Sequence, residues 1–133
     1  MSGRTVNDVR LESARYEQEN TATPVIRKYM ATSPTQLSLK WLREQGYLAE
    51  TVERWIPGAN IRKDLWGWTD IVAIRDGETV AVQCTSWDNI SSRVKKIAES
   101  DTVGPVRKAN WNIWVIGWKK KDNRWVHKLV DIS

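Results

Sequence analysis

The sequence predicts an α/β fold: a mixed five-stranded sheet flanked by helices. Three observations carry that expectation. Apolar periodicity switches along the chain to give the order helix, three strands, helix, two strands. Two β-branched runs, ending at Ile74 and starting at Thr79, flank Asp76-Gly77, a hairpin signal. A helix joins the third strand to the fourth, so those two can lie parallel.

Ser33, Pro34 and Gln36 match an N-cap, an N1 proline and a capping-box residue. Leu37, Trp41 and Leu42 form an apolar stripe and Gly46 is placed to stop it, so a helix is expected over 34–45. Thr51 to Ile56 reads as the first strand, stopped by Pro57-Gly58. Gly67 to Ile74 and Thr79 to Ser86 read as the second and third. Asp88 or Asn89 can cap a second helix with Ile90, Val94 and Ile97 on one face and Arg93, Lys95, Lys96 and Glu99 on the other. Gly104-Pro105 reads as a break. Trp111 to Trp118 is the fourth strand, and Trp125 to Ile132 the fifth, across a polar loop from Lys119 to Asn123.

Residues 1–32 lack a sustained period and read as an N-terminal arm, partly disordered or wrapped on a neighbouring subunit. Residues 33–133 form the domain. The chain's 133 residues suffice for one hydrophobic core. No apolar run approaches the roughly 18 residues of a membrane span, and Met1 to Asn20 is too polar for a secretory signal. A single cysteine, Cys84, in an apolar strand fits a reduced, cytoplasmic setting.

Net charge is +5. Residues 1–33 hold five basic and four acidic groups, and the rest hold sixteen and twelve, so most of the excess lies in the domain. Its cations cluster at Arg62-Lys63, at Arg93, Lys95 and Lys96, at Arg107-Lys108 and at Lys119, Lys120 and Lys121. Clustered positive charge fits nucleic-acid phosphates, with solubilising charge as the plainer reading. Nine tryptophans and no phenylalanine point to core or subunit-interface indoles, one or two of which are free to stack on bases. With the long arm, the tryptophans also fit an assembly protein, a homo-oligomer and in the simplest case a dimer.

If the Asp76-Gly77 hairpin pairs in simple register, Asp70 lies beside Gln83. A carboxylate in a buried strand is costly unless it binds something. Asp70, Gln83 and the Cys84 backbone carbonyl then offer hard oxygen ligands to one cation, and Mg²⁺ or Mn²⁺ is the expected cofactor. Such an ion activates water and neutralises phosphodiester charge. A strand-edge cap, or an ion pair with Arg62 or Lys63, is the plainer reading of Asp70. Asp64 is either a turn residue or a further ligand. His127, the single histidine, has no ligand partners nearby and reads as structural. Cys84 is expected to face away from Asp70 and to be inert. No phosphate-cradling glycine loop is present.

The element order, Asp70 and the tripeptide Gln83-Cys84-Thr85 resemble the PD-(D/E)XK nuclease superfamily, whose core runs α-β-β-β-α-β. Gln83 at the first tripeptide position is similar to Mrr-like restriction endonucleases. The run from Arg62 through Asp64 to Asp70, with Gln83-Cys84-Thr85-Ser86, also resembles small, often phage-borne members of that superfamily; the likeness spans about 36–118. It implies a restriction-endonuclease-like fold and a metal-dependent DNA endonuclease, acting on branched DNA or ends as Holliday-junction resolvases do, with RNA as another substrate. By that resemblance Asp70 and Gln83 hold the ion, and Glu44 falls where family members carry a helix glutamate. Thr85 departs from the family's lysine and cannot supply its charge. Lys63, Lys95 or Lys96 would have to reach in, or the metal act alone. Arg62, Lys63, Arg93, Lys95, Lys96 and Lys119 to Lys121 would contact phosphates. If no cation replaces the lysine, the expectation becomes a non-catalytic nucleic-acid-binding protein on a degenerate nuclease fold.

Overall fold

A computed structural model describes residues 33–133, so the arm expected over 1–32 lies outside the described residues. The chain runs α1 (Pro34–Glu44), β1 (Leu48–Thr51), β2 (Glu53–Ile56), β3 (Ile61–Asp64), β4 (Ile71–Arg75), β5 (Glu78–Ser86), a 3₁₀ turn (Trp87–Asn89), α2 (Ile90–Ala98), α3 (Val103–Lys108), β6 (Asn112–Lys121) and β7 (Arg124–Asp131). The main sheet has the order β1-β4-β5-β6-β7, and β2 and β3 form a separate two-stranded ribbon. β5 and β6 pair in parallel and every other pair is antiparallel, which makes the five-stranded sheet mixed.

Helices cover both faces, as the period-2 pattern of β5 requires. Val80, Val82 and Cys84 pack toward Leu39 and Leu42 of α1. Ala81 packs with Ile90 and Ile97 of α2 and Val103 and Val106 of α3 on the other face. The central strand is therefore buried almost end to end. The buried indoles find acceptors: Trp118 Nε1 donates to Ser38 Oγ at 2.8 Å, and Trp68 Nε1 to Thr102 Oγ1 at 2.8 Å. His127 lies against the rings of Trp41 and Trp118, each 4.7 Å away between centroids.

Five features depart from the sequence expectation. The single strand over 51–56 is two strands in different sheets, parted at Val52, whose N–H donates to Asp70 O. β3 escaped notice because Ile61–Asp64 offers one apolar residue and Pro57-Gly58 reads as a stop, not as the turn of a second hairpin. The strand expected over 67–74 begins only at Ile71. Trp66 and Gly67 have φ of 59° and 78°, and Leu65 and Thr69 close the loop on each other. Gly104-Pro105 does not break the chain but lies in α3, where the proline's missing N–H falls in the first turn and has no helical partner to lose. The polar loop over 119–123 shrinks to Asp122-Asn123, both at positive φ, a turn whose twist suits the strands it joins.

Candidate metal and nucleic-acid site

The Asp76-Gly77 hairpin sets the site. Arg75↔Glu78 through Ile71↔Val82 pair in unbroken register, which ends one residue short of Asp70 and Gln83. At Asp70 the ladder gains one residue. The Asp70 N–H donates to Val82 O at 2.9 Å, although Val82 is already the partner of Ile71. Two residues facing one is a β-bulge, and it re-aims the Asp70 side chain. The carboxylate then takes the place of the next backbone acceptor: Cys84 N–H donates to Asp70 Oδ2 at 2.8 Å. Gln83 Nε2 donates to the same oxygen at 2.7 Å.

Gln83 thus turns its nitrogen, not its oxygen, toward Asp70. Nε2 also donates to the Cys84 carbonyl at 3.3 Å, so flipping the amide would set Oε1 against two acceptors. Oε1 is left without a partner in a side chain only 3% exposed. Thr69 Oγ1 is likewise buried and unpartnered. These two orphan atoms flank Asp70 in sequence and across the strands, and buried polar atoms without partners are uncommon.

Asp70 is 5% exposed. Burial pushes its carboxyl up to about 7; the Cys84 N–H opposes this, and the neighbouring charges of Asp64 and Glu53 reinforce it. No cation pairs with it among the described residues. Glu53 and Asp64 face each other across the ribbon's first pair, and their carboxylates with that of Asp70 place one oxygen each within 4.8 Å of one another. Glu53 is the site residue the sequence reading passed over. It lay inside an expected regular strand, and only the ribbon folding back through β3 brings it to Asp64.

The other expected site residues divide. Thr85 is buried on β5 beside Gly117, where Ile90 of α2 fills the space a Cβ would need. Glu44 is exposed at the end of α1, next to the start of β1. Leu48 pairs with Ile74, at the end of β4 remote from Asp70, so Glu44 does not join the cluster. Lys63 pairs with Arg54 and alternates with Asp64, which places it on the ribbon side away from the carboxylates. Arg62 is the ribbon cation on the acidic side, with Nη1 3.4 Å from Glu53 Oε2. Lys95 and Lys96 are exposed on α2 and Arg93 is half-buried. Ser86 pairs with Trp118, so Lys119 to Lys121 extend past the sheet end where Asp70 lies. Alternation puts Lys120 on the other face from Lys119, whose Nζ sits 4.1 Å over the Trp87 ring. Cys84 is buried, and burial pushes its thiol well above the ordinary range.

No helix among the described residues is long and apolar enough to cross a membrane. No family model, no curated protein and no solved structure matches this chain.

Proposed function

We propose that this protein is a divalent-metal-dependent nuclease of the PD-(D/E)XK kind. The observation that carries the reading is the convergence at Asp70: three carboxylates within 4.8 Å, a buried amide oxygen left without a partner, and no balancing cation on the central acid. With the ribbon set aside, the order α1-β1-β4-β5-α2-β6 supports the superfamily's α-β-β-β-α-β core.

The donor set suits a hard cation such as Mg²⁺ or Mn²⁺, since every available ligand is oxygen. Asp70, Asp64 and Glu53 would hold it, with Gln83 Oε1 as a further donor. A bound ion would supply a more acidic water and neutralise phosphodiester charge. The chain's own residues do the positioning. Cys84 N–H and Gln83 Nε2 fix Asp70 Oδ2, and a side-chain hydrogen bond with Asp64 ties the carboxyl to its neighbour in the cluster. Thr85 brings a hydroxyl and no charge to the lysine position, so neutralisation falls to the ion and to Arg62. Lys119 and Lys121 extend from the same end of the sheet toward a phosphate backbone, and DNA is the substrate that fits them best.

The test is cleavage of plasmid, linear and branched DNA with Mg²⁺ or Mn²⁺, comparing wild type with Asp70→Ala and Asp70→Asn. Wild type should cut, and both variants should lose at least a hundredfold. Equal cutting by all three refutes the catalytic assignment. Salt-sensitive DNA binding with no Mn²⁺ uptake and no cleavage would instead identify a binding protein on a nuclease scaffold, the reading that Thr85 favours.

A further inference from the structure

The β2–β3 ribbon departs from the rest of the surface in a way the metal site does not explain. Its inner pair is Glu53↔Asp64, and the next pair on the same side, two residues further out, is Trp55↔Arg62. The ion pair of Arg62 with Glu53 confirms that these side chains share one side. From Arg54 to Lys63 the ribbon holds Arg54, Arg62 and Lys63 and no acid. Trp55 is 52% exposed, and among the described residues no ring or cation packs on its indole. Other tryptophans of the domain are buried or stacked; this one is held out on a thin, positively charged arm.

We propose that the ribbon is a binding arm for single-stranded nucleic acid, with Trp55 as the platform for one unpaired base and Arg62 for the adjoining phosphate. Charge complementarity chooses the occupant. A self-associating patch is depleted of charge at its centre, whereas here cations alternate with the apolar residues. A duplex hides its base faces, so the exposed ring would have nothing to stack on. An unpaired strand avoids that problem, because every base offers a face to an aromatic ring. The spacing adds a reason. Two residues along a strand is roughly 7 Å, so a base on Trp55 brings a neighbouring phosphodiester toward the carboxylates at the ribbon's base. The inference rests on the nuclease reading in this respect: it assigns that site a frayed, flapped or single-stranded substrate.

The experiment measures fluorescence anisotropy of a labelled 20-mer, single-stranded and as duplex, with the full chain in EDTA. Trp55→Ala should weaken single-strand binding about five- to a hundredfold and duplex binding less than threefold, and Trp55→Phe should restore most of the loss. Arg62→Ala should lower the slope of log affinity against log salt by about 0.7. Trp55→Ala binding the single strand as wild type does, with an unchanged circular-dichroism spectrum, overturns the proposal. So does an equal loss on duplex, or a change confined to oligomeric state. Asp70→Ala is assayed for cleavage in parallel. If it still cuts while Trp55→Ala loses binding, the nuclease assignment fails and the ribbon's role stands; the reverse pattern removes the ribbon alone.

Discussion

Asp70→Asn should make this protein more stable at alkaline pH while abolishing the nuclease activity proposed for it. Burial raises the Asp70 carboxyl from its ordinary 3.8 to about 7, with Cys84 N–H opposing and Asp64 adding to the rise. Below about pH 4 the folded and unfolded chains both carry the proton. Between there and pH 7 the unfolded chain has released it and the folded chain still holds it, so stability falls as pH rises, and levels off above 7. At about 1.4 kcal/mol for each pH unit, the span from 3.8 to about 7 costs about 4 kcal/mol. The asparagine keeps an acceptor for Cys84 N–H and Gln83 Nε2 and cannot ionise. Urea unfolding in EDTA from pH 4 to pH 8.5 provides the assay. The variant should match wild type within about 1 kcal/mol at pH 4 and exceed it by about 2–4 kcal/mol at pH 8.5. Mn²⁺ at a hundred times its Kd should then return about 2.7 kcal/mol to wild type and nothing to the variant. A difference that stays flat across pH, or a wild type more stable at pH 8.5, would refute the account of Asp70 as a strained acid waiting for a cation.

Two further outcomes follow from packing. Gly117→Ala drives a methyl into the Ile90 side chain and to 3.0 Å from Trp87 Cα, so it should cost about 1–3 kcal/mol in thermal or urea unfolding, and Ile90→Val in the same chain should recover part of the loss. The buried Cys84 thiol, pushed up by desolvation, should react with a thiol reagent only at the rate of unfolding, and a fast reaction in the native protein would show that β5 is open at the site.

What the sequence by itself determined was local in origin. Apolar periodicity marked α1, β5, α2 and β6, because a helix or strand must bury one face whatever its neighbours are. Asp76-Gly77, both at positive φ, fixed the hairpin register, and that register brings the Asp70 and Gln83 segments side by side. Tertiary structure decided the rest. The bulge at Asp70 arises where the Leu65–Thr69 loop meets the sheet, and it turns the carboxylate onto Cys84 N–H. Glu53 comes to Asp64 because a ribbon of weak strand propensity folds on itself, and the same pairing sends Lys63 to the far side and brings Arg62 to the near one. Glu44 shows the same limit: a residue type at a suggestive place in the chain says nothing of which end of the sheet it reaches. Spacing along one strand is fixed by backbone geometry, whereas the meeting of separate segments depends on loops whose conformation no short pattern encodes.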